Sequence, residues 1–212
     1  SFTGRISDEG NPFAFDIVGL ASFNGRVPLY DFTMDVKRAD LAAMNVNKRD
    51  SVSLLSLRAD VYAMGHNLDD MNGRVVIQNG QYIYNADTLR TSAVELTADS
   101  DEAKRTLRLT SDFADATFTG PTSYAVLVRY LKESMSKYLP GLAASDSRYA
   151  GDNKGYSALS LRVKSIDPLL DAIASGLQVA RDTKIDFTMN PAANLRMLRA
   201  ESDYVERKNL LV

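Results

Sequence analysis

The side chains that most often carry chemistry are few in this sequence and poorly spaced for it. The single histidine, His66, stands in Gly65-His66-Asn67. Proton transfer or metal ligation by an imidazole needs partner groups at a fixed spacing, and none is recognisable around it, so His66 reads as a solvated turn residue. Asp69-Asp70 and the group Asp99, Asp101 and Glu102 offer oxygen ligands of the kind a hard cation takes. They lack the glycine-pivoted alternation of an EF-hand loop and read as loop solvation. The phosphate-cradling patterns Gly-x-x-x-x-Gly-Lys-Ser/Thr and Gly-x-Gly-x-x-Gly do not occur, and no serine sits in a Gly-x-Ser-x-Gly elbow. With no cysteine there is neither a disulfide nor a thiolate metal site. The sequence therefore assigns no catalytic residue, no metal and no cofactor, and the chain reads as a non-enzyme.

The elements that would have to position any site are mostly strands. Phe13, Phe15 and Ile17 alternate with Ala14 and Asp16, and Tyr30, Phe32, Met34 and Val36 alternate with Asp31, Thr33, Asp35 and Lys37. Leu55, Leu57, Ala59, Val61 and Ala63 face one way, and Ser56, Arg58, Asp60 and Tyr62 the other. Period-two alternation of this kind marks a half-buried antiparallel strand, and it recurs at Val75/Ile77, Val94/Leu96/Ala98 and Leu107/Leu109. Asn67-Leu68-Asp69-Asp70, Asn72-Gly73, Asn79-Gly80 and Asp99 to Glu102 read as the turns between hairpins. A parallel βαβ architecture is disfavoured, since strands buried on both faces would read as continuous apolar runs.

Three segments break the alternation. Thr122 to Leu139 carries Tyr124, Leu127, Val128, Leu131, Met135, Tyr138 and Leu139 at helical spacing between Gly120-Pro121 and Pro140-Gly141, and predicts a long amphipathic helix over 122–139. Leu127, Val128, Leu131 and Met135 are its expected buried face. Two short helices are predicted after Asp40 and Asp167, because an aspartate accepts hydrogen bonds from the free amides of a first helical turn and Pro168 suits the first helical position. Val36-Lys37-x-x-Asp40 matches Val163-Lys164-x-x-Asp167 in spacing. That match predicts a degenerate repeat: strands at 1–27 continuing an earlier unit, a unit at 28–157 that includes the long helix, and a truncated second unit at 158–212. The fold class is α+β and strand-dominated, a mostly antiparallel, curved and extended trough-like sheet with one long and two short helices.

Composition narrows the partners. The 212 residues are 45% hydrophobic with a net charge of −2, from 25 basic and 27 acidic side chains scattered along the chain. That is enough apolar material for a real core, and it leaves no basic footprint for nucleic acid or an anionic membrane surface. No apolar run approaches the ~20 residues that span a bilayer. The chain begins without Met at Ser1-Phe2-Thr3 and ends in Leu210-Leu211-Val212, which reads as a piece of a longer protein whose signal or membrane anchor would lie outside it.

The junctions VKRADLAAMN and VKSIDPLLDAIASGLQVA, the NLDDMNGRVVIQNG hairpin and the pair DEAKRTLRLTSDFADATFTG together resemble the TamB-like proteins of the AsmA-like superfamily, in particular the long versions in Bacteroides-type bacteria. The likeness covers most of the chain and rests on pattern rather than on an invariant motif. It implies an inner-membrane-anchored protein of the translocation and assembly type that crosses the periplasm. It further implies a long sheet with an apolar concave face, and partners that are phospholipid or unfolded outer-membrane protein together with an assembly partner at the outer membrane. No catalytic residue is carried over. On this reading Leu55, Leu57, Val61, Val94, Leu96, Leu107, Leu109, Ile185 and Phe187 line a lipid groove. The alternative is a structural or adhesive β-rich module of the bacterial envelope whose apolar faces form its own core. A carbohydrate-acting enzyme fits less well, as Trp is absent.

Overall fold

A computed structural model describes residues 1–6, 12–47, 51–101, 103–135, 155–165 and 177–207. Its strands are β1 (Phe2–Ile6), β2 (Phe13–Ser22), β3 (Leu29–Asp40), β4 (Ser53–Met64), β5 (Asn72–Tyr84), β6 (Asp87–Ser100), β7 (Arg105–Ser111) and β8 (Ala114–Gly120). After the helix α1 (Tyr124–Met135) come β9 (Ser157–Val163), β10 (Leu177–Val179), β11 (Lys184–Asn190), β12 (Leu195–Glu201) and β13 (Val205–Arg207). Eleven strands form one open antiparallel sheet in the order β1 to β9, then β11 and β12, while β10 and β13 pair separately. All three units anticipated from the repeat contribute strands to that one sheet.

The alternation seen in the sequence becomes the two faces of the sheet. Cross-strand neighbours share a face, and the register links Phe2, Gly19, Phe32, Val61, Val75, Leu96, Leu109, Ala116, Leu161, Ile185 and Ala200 in one row across the whole sheet. The next row on that face includes Tyr30, Ala63, Gly73, Ala98, Leu107, Phe118, Leu159, Phe187 and Leu198. The opposite face carries charge, much of it paired: Arg5 with Asp16 at 2.5 Å, Arg74 with Glu95 at 2.7 and 2.9 Å, and Lys164 with Asp115 at 2.5 Å.

Two bulges adjust this pattern. Val36 pairs with Leu57 and Ala39 with Leu55, so β3 holds one residue more than β4 there. Both Val36 and Ala39 thereby turn inward and are buried, and Lys37 is left in solvent. Asn79-Gly80 is not a turn but a second irregularity inside β5, where the pairing with β4 shifts between Ser56 and Arg58. Asn79 takes a left-handed φ of 51°, a conformation asparagine tolerates better than most residues.

The helical expectations need correction. Asp40 does cap a turn, its Oδ1 accepting from Ala43 N–H at 2.9 Å. The chain then closes at once, Asn45 at φ 59° sending the amides of Val46 and Asn47 back to Leu41 O at 2.9 Å, so a single turn stands where a short helix was expected. A cap signal is the same for one turn as for several, and here the chain must return to start β4. The short helix expected at Asp167 lies outside the described residues. Helix α1 runs from Tyr124 to Met135 rather than over 122–139, and residues 136–139 also lie outside the described set.

The face of α1 is offset as well. Val126, Leu127 and Tyr130 are buried, together with Ser123 just before the helix, whereas Val128 is 48% exposed. The phase is set from outside the helix. Asp69 Oδ1, in the 3-10 turn Leu68–Asp70 between β4 and β5, accepts from Tyr124 N–H at 2.8 Å, and Ser123 O accepts from Leu127 N–H at 3.0 Å. The core gathers beneath this helix, where Phe118, Val126 and Phe187 are each 1% exposed and Met189, Leu127 and Tyr130 join them.

Candidate functional site

Helix α1 packs on Phe118 of β8 and on Phe187 and Met189 of β11, with Leu107, Leu159 and Leu198 at the margin. Among the described residues no helix lies on the same apolar face over β3 to β6, and an apolar hollow of about 510 Å³ is found there. Its floor is Tyr30, Phe32, Val61, Ala63, Val75, Leu96, Ala98 and Leu107, and its rim includes Leu68, Met71 and Tyr124. Leu68, at the tip of the β4–β5 connection, is 74% exposed.

The anticipated groove residues Leu55, Leu57, Val61, Val94, Leu96, Leu107, Leu109, Ile185 and Phe187 all lie on this one face, as the register requires. They do not form one surface. Val61, Leu96 and Leu107 line the hollow, and Phe187 is core beneath α1. Tyr30, Phe32 and Val75 belong to the alternating strands already visible in the sequence and could have been included on that signal. Leu68 and Met71 could not, because they sit in a turn whose sequence shows no apolar period.

The polar groups at the helix end of the hollow are engaged with one another. Arg105 Nε donates to Asp69 O at 2.7 Å, its guanidinium also donates to Pro121 O, and its Nε lies 3.9 Å from Asp69 Oδ1. Burial pushes the Tyr124 hydroxyl above its ordinary pKa. Asp69 thus joins the β4–β5 turn, β7 and the start of α1, which is structural work rather than the loop solvation expected of it. His66 is exposed, with Nδ1 3.2 Å from Asp70 Oδ2, and Asp70 also accepts from the amides of His66 at 2.9 Å and Asn67 at 2.8 Å. Desolvation raises the Asp70 pKa, but these bonds outweigh it and hold the carboxyl below its usual range. Among the described residues no three histidine, cysteine or acidic side chains converge as metal ligands, and no helix is long and apolar enough to cross a membrane.

Asp112, between β7 and β8, holds the preceding hairpin. It accepts from Thr91 Oγ1 at 2.6 Å, Ser92 N–H at 2.8 Å and Ser92 Oγ at 3.2 Å. Desolvation raises its pKa, yet these donors prevail and the folded value is lowered. A depressed carboxyl stabilises the fold above its unfolded pKa, and that stabilisation is lost as pH falls through the folded value. Asp112→Asn is therefore expected to cost up to about 1 kcal/mol at neutral pH, the side chain being largely exposed. Urea unfolding of both proteins at neutral pH and again below about pH 3 checks this, since the difference between them should shrink in acid.

No protein-family model matches the chain, and neither a curated protein nor a solved structure shows significant similarity to it.

Proposed function

We propose that the open part of the apolar face shelters hydrocarbon from water. On this reading the chain is one non-catalytic segment of a trough-like hydrophobic conduit of the TamB-like kind, through which phospholipid acyl chains or unfolded outer-membrane strands cross the periplasm toward an outer-membrane partner. The observation that carries the proposal is the apolar face made by the rows from Phe2 to Ala200 and from Tyr30 to Leu198, packed under α1 at Phe118 and Phe187 and, among the described residues, without a helix over β3 to β6. Each methylene kept from water is worth roughly 0.8 kcal/mol, so a surface of this composition holds an acyl chain without any directed polar contact.

Val61→Arg tests the reading. Val61 lines the hollow and is only half-buried, so a long cationic side chain there can reach solvent. The variant is expected to unfold within about 1 kcal/mol of the wild type while losing binding of a fluorescent fatty acid by at least about tenfold. Fatty-acid binding that is absent from the wild type, or unaffected by the arginine, would return the face to the role of an ordinary interior in a structural or adhesive module.

A further inference from the structure

Three asparagines precede a glycine, at Asn24-Gly25, Asn72-Gly73 and Asn79-Gly80. In that dipeptide the glycine amide nitrogen can attack the side-chain carbon Cγ of the asparagine, because glycine has no side chain to shield the nitrogen or to restrain the backbone rotation that brings the two atoms together. The fold treats the three pairs differently. Asn72 is held at both polar atoms of its side chain: Oδ1 accepts from Ser100 N–H at 2.7 Å, and Nδ2 donates to Ser100 O at 3.0 Å and to Asp70 O at 3.3 Å. Gly73 is paired with Ala63 on one side and Ala98 on the other, so its backbone is fixed as well.

Asn79 is exposed, but it is set at φ 51° in the irregularity of β5, and Gly80 is buried and paired with Thr91, whose Cγ2 would stand 2.6 Å from a β-carbon there. Turning the Gly80 nitrogen toward Asn79 Cγ breaks that pairing. Asn24-Gly25 is under no such restraint. It lies at the tip of the β2–β3 connection, beyond the last pair of the ladder, Ser22 with Leu29, and residues 23–27 are all exposed. Among the described residues neither the Asn24 side chain nor the Gly25 amide makes a hydrogen bond, and a β-carbon on Gly25 would meet nothing closer than Val27 O at 3.4 Å.

We infer that Asn24 is a site of spontaneous deamidation in the folded protein, and that the fold protects Asn72 and Asn79 from the same reaction. Hydroxide removes the Gly25 amide proton, the nitrogen bonds to Asn24 Cγ, and the Cγ–Nδ2 bond breaks to release ammonia, which takes its third proton from water. The succinimide so formed takes up one water. Opening at Cγ leaves aspartate, and opening at the backbone carbonyl carbon leaves isoaspartate, whose main chain runs through Cβ and Cγ. Either product adds a negative charge to the tip, and isoaspartate also lengthens the main chain there by a methylene. Because the tip lies outside the ladder, both changes are accommodated without unpairing β2 from β3.

Peptide mapping by mass spectrometry, after incubation of the full chain in mildly alkaline buffer with and without unfolding urea, tests this. In native buffer Asn24 should deamidate at least about tenfold faster than Asn72 and Asn79, which react only through local opening of their strands. In urea the three rates should converge. Gly25→Ala should slow the reaction at Asn24 by at least about tenfold, since its β-carbon shields the nitrogen, while leaving the thermal unfolding temperature where it was. Methylation by an isoaspartyl O-methyltransferase with S-adenosylmethionine should label natively aged wild type far more than natively aged Asn24→Gln, because glutamine must close a larger ring. Equal native rates at the three asparagines, or an Asn24 that stays intact in native buffer, overturns the inference. Reaction as fast in Gly25→Ala, or labelling undiminished in Asn24→Gln, does so too.

Discussion

Phe187→Ala is expected to remove roughly 3–5 kcal/mol from the unfolding free energy, the range for emptying a fully buried aromatic site. Phe187 is 1% exposed and sits on β11 opposite Leu159 and Leu198, beneath α1 and in one cluster with Phe118, Val126 and Met189. A cavity there removes the contacts that hold the helix to the sheet, and little can collapse into it, since the walls are strand backbone fixed by pairing on both sides. Denaturant titration of the variant measures the loss. Val128→Ala, on the exposed side of the same helix, should change stability by no more than about 0.5 kcal/mol. A loss below about 1 kcal/mol for Phe187→Ala would mean that the helix is not seated on this cluster as described.

Gly120→Ala should be comparably damaging for a different reason. Gly120 closes β8 at φ 149°, a region that residues with a β-carbon rarely enter, and a β-carbon there would come within 2.5 Å of Ser157 Cα and Cβ. Ser157 cannot withdraw. Its Oγ donates to Thr122 Oγ1 at 2.7 Å and accepts from Thr122 N–H at 3.2 Å, with both residues buried, and this pair anchors the lead-in to α1. Backbone strain and overpacking together are expected to cost roughly 2–5 kcal/mol. The pairing of Gly120→Ala with Ser157→Gly should recover part of the loss, because it relieves the contact and leaves the strain. Full stability in Gly120→Ala, measured by thermal unfolding, would rule out the close approach of β8 and β9 at this corner.

How far these features could be read beforehand depends on how local their causes are. Which side chains of Tyr30 to Val36 or Leu55 to Ala63 share a face follows from a period of two within one strand, and that part of the architecture was legible. The bulge at Lys37 was not, because the parity of Val36 and Ala39 is decided by pairing with Leu57 and Leu55, some twenty positions on. The helix after Gly120-Pro121 announced itself, but its buried stripe was misplaced onto Val128, since the phase is set by Asp69 from another hairpin and by Ser123 rather than by the apolar spacing alone. Asn79-Gly80 read as a turn because the same dipeptide serves turns and bulges. The hollow was the least legible feature, as Leu68, Met71 and Tyr124 reach it from two connections that share no sequence pattern.

From β1 to β9 the order of strands in space is their order in the sequence, so each strand bonds only to the one before it and the one after it. From β1 to β8 such contacts of short sequence separation ask little loop-closure entropy of the chain, and pairing can spread hairpin by hairpin, whereas β8 and β9 meet across α1. Among the described residues the helix with β11 clamps the later strands, and Asp69 ties the β4–β5 turn to the start of that helix. Opening energies should accordingly form a gradient that is greatest around β8 and β9 and declines with distance from the helix, like a ribbon pinned at one place.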